Sequence, residues 1–215
     1  HLADDLAVSA EGIVYFSDAT LFEDLNNFYY DILIHQPFGR VFSYNLNSGI
    51  LELIVDSLYF ANGIAISPDE DFLLIAETAA YKIRKYWLKG EYAGTDEIIA
   101  DSLPGFPDGI IGNGNGEYWV SMASPRKWSV DNLYHPYIWV KQILKYIPES
   151  FRPGPEMYGL IIKIDGQGNV LESLHDPLGK VLHTITNTVE FENTLYMGSL
   201  YNDTVGKLSL NNETF

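Results

Sequence analysis

The chain has 215 residues, with 13 Lys and Arg against 29 Asp and Glu, a formal charge of −16. That balance argues against a nucleic-acid binder, which needs a basic face to meet phosphate, and it disfavours anionic lipid outside a local basic stretch. The absence of Cys excludes a disulfide framework, a thiolate nucleophile and a Cys-ligated metal, while 47% hydrophobic and 14% aromatic residues describe a β-rich chain able to bury a sizeable core.

Taken in order, four segments share one plan of a small polar residue, an apolar strand, a turn and a second strand. They are DDLAVSAEGIVYFSDA from Asp4, NGIAISPDEDFLLIAET from Asn62, DGIIGNGNGEYWVSM from Asp108 and TNTVEFENTLYMGS from Thr186. Their turns (Ala10-Glu11-Gly12, Pro68 to Asp71, Asn113 to Gly116, Glu192-Asn193) fall at equivalent places and carry hairpin chemistry. A further strand pair follows each unit, as in GRVFSYNLNSGILELIV from Gly39, and four strands per unit read as propeller blades.

Unequal spacing of the units locates two insertions. Residues 19–37 carry Leu21, Phe22, Leu25, Phe28, Tyr29, Ile32 and Leu33 at helical period, and 136–147 predict a second short helix opened by Pro136 and ended by Pro148. Both follow the second strand of a unit, so both are expected on one face of the propeller. No run approaches the roughly 18 apolar residues of a membrane span. The opening HLADDLAVS contains no signal peptide, and any targeting segment is expected upstream of it.

FANGIAISPDEDFLLIAETAAYKIRKYWLKG, DSLPGFPDGI, LESLHDP and TLYMGSLYNDTVGKLSL resemble the strictosidine synthase-like family, in the branch typified by adipocyte plasma membrane-associated protein. The resemblance implies an all-β, six-bladed β-propeller related to the paraoxonase, diisopropylfluorophosphatase and gluconolactonase propellers. It implies that about four blades are present here, as one propeller domain over 1–215 and the C-terminal part of a longer ring. A closed four-bladed ring is the alternative.

The N-terminal ends of the innermost strands are expected to give a ring of Asp4, Asn62, Asp108 and Thr186, followed by Asp5, Gly63, Gly109 and Asn187. Oxygen ligands converging on an axis suit a hard cation such as Ca²⁺. In the paraoxonase-type relatives the positions matching Asn62 and Asp108 hold a catalytic calcium, so the resemblance implies Asn62 and Asp108 as catalytic and metal-binding residues, with help from Asp4 or Asp5. The pattern departs in two places: Gly109 stands where an Asn usually follows the aspartate, and Ser17 stands at another ligand Asn. The alternative is that Asn62 and Asp108 cap strand ends by bonding backbone N–H groups. Thr186 occupies the position of the catalytic Glu of strictosidine synthase, and a hydroxyl cannot replace that carboxylate as general base near neutral pH.

Two functions follow as expectations. One is a metal-assisted, arylesterase-like hydrolase of esters or lactones, its pocket lined by Phe16, Tyr59, Phe60, Phe106 and Trp119 under the two helices. The other is a non-catalytic propeller that binds a small molecule or a protein. Remaining motifs carry less. Gly112 to Gly116 is a hairpin turn, since a strand follows it, and His175-Asp176 reads as a polar turn without a nucleophile elbow. His35, His135 and His183 lack metal-ligand spacing. Lys82, Arg84, Lys85 and Lys89 read as a solvated face, and Asn202-Asp203-Thr204 and Asn212-Glu213-Thr214 are glycosylation sequons.

Overall fold

The computed structural model of the chain describes residues 1–21, 28–144, 146–147 and 154–210, and within them the runs of alternating apolar residues form strands. Strands β1 (Ala3–Val8), β2 (Ile13–Asp18), β3 (Gly39–Asn45) and β4 (Leu51–Leu58) make the first antiparallel sheet in that order. The second holds β5 (Ala61–Ile66), β6 (Phe72–Glu77), β7 (Lys82–Trp87) and β8 (Asp96–Ala100). The third holds β9 (Gly105–Gly112), β10 (Glu117–Pro125), β11 (Gly159–Asp165) and β12 (Val170–Asp176). The fourth has β13 (Ile185–Phe191), β14 (Thr194–Ser199) and β15 (Gly206–Ser209). These are the blades of a β-propeller. Their first turns are those read from the sequence; between the paired Phe191 and Thr194, for instance, Glu192 and Asn193 both take left-handed φ (47° and 56°), as a two-residue hairpin of matching twist requires.

Side-chain parity assembles the blades. On β6, Leu73 and Ile75 point into a core with Tyr15, Val41 and Val55 of the first blade, while Leu74 and Ala76 point the other way, against Ile110, Val120 and Ile162 of the third. The third blade repeats the device, turning Trp119 and Ile161 towards Ile185 and Leu195 of the fourth. Each blade–blade interface is thus a dry sandwich fed by alternate residues of the same strands, so a one-residue register slip would expose a whole core face.

The blades form an arc. Inner strand β1 packs on β5, β5 on β9 and β9 on β13, and no comparable packing joins β13 back to β1 among the described residues. The two outer faces of the arc stay apolar and uncovered: Leu6, Val8, Leu51 and Leu53 on the first blade, Val189, Phe191 and Tyr196 on the fourth. The closed four-bladed alternative does not fit this arrangement, whereas part of a larger ring does.

Helix α1 (Phe28–Ile34) and helix α2 (Ile138–Leu144) lie on one end of the propeller, as expected, but both are shorter than the sequence predicts. Leu21 is in a bend, exposed, and Phe22, Leu25 and Pro148 lie outside the described residues. A π-helical turn at Val130–Tyr134, which periodicity did not reveal, precedes α2. Neither helix is long and apolar enough to cross a membrane. Of the basic run read as a solvated face, Lys89 is exposed and Lys82 partly so, but Arg84 and Lys85 are held by protein. Lys85 is 4% exposed, with its ammonium 4.4 Å from the Phe72 ring centroid, and Arg84 binds Glu77 and Asp96. Cation–π contact and ion pairing compensate the cost of burying these cations.

All four inner strands share an irregularity near the start. The register shifts between Ala3 and Leu6, between Ala61 and Ile64, between Pro107 and Ile110 and between Ile185 and Asn187, one extra residue each time. Such bulges re-aim side chains. They coincide with close approach of neighbouring inner strands: a Cβ on Gly63 would fall 2.5 Å from the Asp108 carbonyl oxygen, and one on Gly109 would fall 2.5 Å from that of Thr186. Neither glycine has a positive φ, so space and not torsion demands it. Gly109→Ala is expected to lower the unfolding free energy by roughly 1–3 kcal/mol through overpacking. Gly198→Ala, with open space around its Cβ, should change it by less than about 0.5 kcal/mol. Equilibrium denaturation of the two variants checks this, and equal stabilities would contradict it.

Candidate functional site

The bulges turn Asp4, Asn62, Asp108 and Thr186 towards the axis, where all four line one cavity of about 360 Å³. Its walls include Ile32 from α1, Phe60 and Phe106, and Lys127, Pro155 and Tyr201 stand around it on the helix-bearing end. The volume suits a small organic ligand, and a few polar groups in an apolar wall is the usual make-up of such sites.

Asn62 is buried and hydrogen-bonded to the Asp108 carboxyl, which also accepts from the Gly109 N–H. Burial, followed by the charge of Asp4, holds the Asp108 carboxyl well above its ordinary range, and the two hydrogen bonds only partly offset this. Asp4 opens on the cavity but is hemmed by protein, and burial with help from Asp5 raises it to about 6. Asp108 is thus poorly solvated, Asp4 is exposed on the cavity beside it, and the two repel each other when ionised.

The second ring is structural. Asp5 accepts from the Ile64 N–H (3.0 Å) and from its neighbour Leu6 (2.8 Å), tying the first blade to the second. The Asn187 amide oxygen accepts from Thr188 N–H (3.0 Å) and lies against Gly109. Ser17 lies apart from the cavity: its hydroxyl accepts from the Asp5 N–H (3.0 Å) and donates to the Asp5 carbonyl (3.4 Å). Of the five aromatic residues expected in the pocket, Phe60 and Phe106 line it. Phe16 stacks on Phe42 on the outer face of the first blade, and Tyr59 stacks on His35. Trp119 is buried between the third and fourth blades, its indole N–H donating to Glu190 at 2.7 Å.

Sequence spacing gave no hint that His35 and His135 stack, with ring centroids 4.2 Å apart, between Tyr59 and Tyr81. His135 Nε2–H donates to the Ile32 carbonyl (3.2 Å), and burial lowers this ring to about 4, so it is neutral near pH 7 and clamps α1 to the loop before α2. His175 bonds Tyr158 and Ser173, and Asp176 accepts from the Val181 and Leu182 N–H groups; contrary to the turn expected for SLHDP, Ser173 to Asp176 end strand β12 and the turn begins only at Pro177. The Asn202 amide oxygen accepts from His183 N–H and the Ser199 hydroxyl; Asn212 and Thr214 lie outside the described residues.

Among the described residues no group of three or more His, Cys, Asp and Glu side chains is gathered as for a metal ion. What converges is a set of hard oxygens, from two carboxyls, one amide and one hydroxyl, and the repulsion between Asp4 and Asp108 is what a divalent cation would relieve. In kind, though short in number, these residues fit calcium.

Both carboxyls have folded-state values above the unfolded 3.8, so the folded chain binds more protons. Their stabilising contribution is full below that value and is lost as pH rises through about 6 for Asp4 and through the raised range of Asp108. Without divalent cations the chain should therefore melt at a lower temperature at about pH 8 than at about pH 5.5. Asp108→Asn, which cannot ionise, should flatten that fall. Melting curves of the two proteins that stay parallel across this range would contradict the electrostatic account.

The comparisons with known proteins agree with this architecture. Residues 4–91 match the family model described as strictosidine synthase. The protein strictosidine synthase-like 6 of Arabidopsis thaliana is 32% identical over 213 residues, covering 97% of this chain and 55% of its own length. The adipocyte plasma membrane-associated protein of Bos taurus is 32% identical over 202 residues, covering 91% of this chain and 49% of its own. Among solved structures, a gluconolactonase from Xanthomonas campestris superposes with a TM-score of 0.56 at 18% identity, over 91% of this chain and 53% of that one. A calcium-binding protein from Agrobacterium tumefaciens, regucalcin, does so with a TM-score of 0.56 at 12% identity, over 94% and 55%. At those identities the structures speak for the fold alone. The chain spans about half the length of the curated relatives it matches, and in sequence it is similar to strictosidine synthase-like proteins over most of its own length.

Proposed function

We propose that this propeller serves a metal-assisted hydrolysis of small esters or lactones at the Asp4, Asn62 and Asp108 cavity. The observation that carries the reading is the convergence of two charge-frustrated carboxyls and one amide at the polar end of an apolar cavity. Similarity to a gluconolactonase and to a calcium-binding propeller supports the same direction. Asp108 and Asn62, with Asp4, would hold a divalent cation, which when bound polarises a carbonyl and stabilises the oxyanion.

The chain's own residues do the rest. Phe60, Phe106 and Ile32 take up the apolar part of the substrate and exclude water from it. Asp4, titrating near neutrality, is suited to exchange a proton with a cavity water. Lys127, whose ammonium bonds the Gly154 carbonyl and lies 3.8 Å from Glu156, puts a positive charge at the wall, suited to a substrate carboxylate. Thr186 provides no base, so the condensation chemistry of strictosidine synthase is not proposed here. The second reading, a binding propeller without catalysis, draws on the small number of carboxyls around the axis.

Hydrolysis of an aryl ester and a γ-lactone, with added Ca²⁺ and then with chelator, separates the readings. Asp108→Ala should reduce turnover by more than about 100-fold and chelator should do the same. Asn62→Ala should cost less, since a neutral amide holds a cation more weakly than a carboxylate. Thr186→Ala should be nearly silent. Full activity in chelator or in Asp108→Ala overturns the metal role; ligand binding without turnover in any condition favours the second reading.

A further inference from the structure

The two helical insertions meet at a pair of imidazoles. His35 directly follows α1 with a φ of 49°, a left-handed torsion that is uncommon outside glycine, so packing and not local preference fixes its ring. That ring stacks on Tyr59, with centroids 4.4 Å apart, and on His135, with centroids 4.2 Å apart. Tyr81 stands beyond, 6.2 Å from His135. His135 follows the π-helical turn, and its Nε2–H donates to the Ile32 carbonyl of α1 (3.2 Å). The Tyr30 hydroxyl of α1 donates to the Lys141 carbonyl of α2 (3.4 Å) across the same seam. This stack backs onto the cavity. Ile32 lines the cavity from α1, Phe60 lines it beside Tyr59 in the chain, and Tyr81 packs on the wall residue Phe106 with ring centroids 4.8 Å apart.

Such a stack suits neutral rings. His35 is held towards the Ala79 carbonyl, and its Nδ1 is buried with no hydrogen-bond partner among the described residues. A proton there would be a buried, unpaired donor, and protons on both rings would set two cations face to face. The surrounding charges do not compensate. Lys141 of α2 and Lys82 of β7 oppose a cation at His35, and Lys141 opposes one at His135 as well. Asp131 of the π-helical turn favours both, but it is bound to Arg126 (3.0 Å), whose guanidinium lies over the Tyr81 ring. Glu77 accepts from the Tyr59 N–H and is paired with Arg84. Burial, partly offset by a Thr20 hydrogen bond, raises Asp31 of α1 to about 6, so this acid loses its charge on acidification.

Burial lowers both imidazoles, His135 to about 4. With folded values below the ordinary 6.5, their contribution is full above that value and is lost as pH falls through the lowered ranges of the two rings.

We propose that the His35–His135 stack is an acid-released latch: neutral, it holds α1 against the turn leading into α2 and keeps that wall of the cavity closed; protonated, its rings part and the wall opens. A medium at about pH 5 thus loosens the cavity and speeds ligand exchange, while the blades, whose cores contain no imidazole, stay folded. The proposal does not depend on the cavity being catalytic.

Hydrogen exchange at about pH 7.5 and about pH 5, corrected for intrinsic rates, tests it. In the wild type the amides of 28–34 and 130–144 should lose protection on acidification while those of β10 and β11 keep theirs. Asp31 titrates in the opposite sense, so variants isolate the latch. His35→Phe with His135→Gln should retain at least about tenfold more of the neutral-pH protection of these segments at about pH 5 than the wild type does. His35→Phe alone, which keeps a ring in the stack and the Ile32 bond, should shift the ratio in the same direction should the double variant misfold. Nuclear magnetic resonance titration of the wild-type imidazoles needs no variant, and both rings should take up their proton below 6.5. Either ring titrating at the ordinary 6.5 overturns the proposal. So does protection of the two segments that holds or rises on acidification in the wild type, an equal ratio in wild type and variants, or a loss shared equally by β10 and β11, which is global acid unfolding.

Discussion

The arrangement rests on how closely the inner strands approach one another at their bulged starts. Gly63 against the Asp108 carbonyl and Gly109 against the Thr186 carbonyl leave no room for a side chain. The extra residue in each strand then turns its neighbour inward, which is why Asp4, Asn62, Asp108 and Thr186 form one ring and the residues after them do not. Glycine at 109 is therefore a packing requirement in this arc. Asp5, the acid of the second ring, is used as an interblade hydrogen-bond acceptor.

From that constraint follow the electrostatics. Asp108, set among the inner strands, is poorly hydrated, and it feels the charge of Asp4 exposed on the same cavity. Such strain is affordable because the blades are held elsewhere, by cores that alternate along β6 and β10 and by buried polar ties such as Ser121 to Thr188 (2.8 Å). The stability of the scaffold and the discomfort of the site come from different residues, so substitutions at Asp108 should leave the blades intact.

Much of the fold was legible. Two-residue alternation, four equivalent turns and four polar strand starts identified the blades, because those signals are local. The polar ring was legible for the same reason. What escaped was set by tertiary packing. The outward turn of Phe16, the burial of Trp119 against Glu190 and the burial of Lys85 among aromatic rings depend on which neighbour lies across a blade interface. The stack of His35 on His135 joins residues a hundred positions apart in sequence. The register shifts left one trace, the Asn-Gly and Asp-Gly pairs at 62–63 and 108–109, which resemble turn signals and in fact mark bulges.

The proposed cation role of the Asp4, Asn62 and Asp108 cluster is tested most directly by calorimetric titration of the protein with Ca²⁺ in two buffers of different ionisation enthalpy. Because burial keeps these carboxyls partly protonated, binding should release protons, more at about pH 6 than at about pH 8, and Asp108→Asn should remove most of both the binding and the release. Saturable binding that releases no protons, or that persists unchanged in Asp108→Asn, would contradict the account.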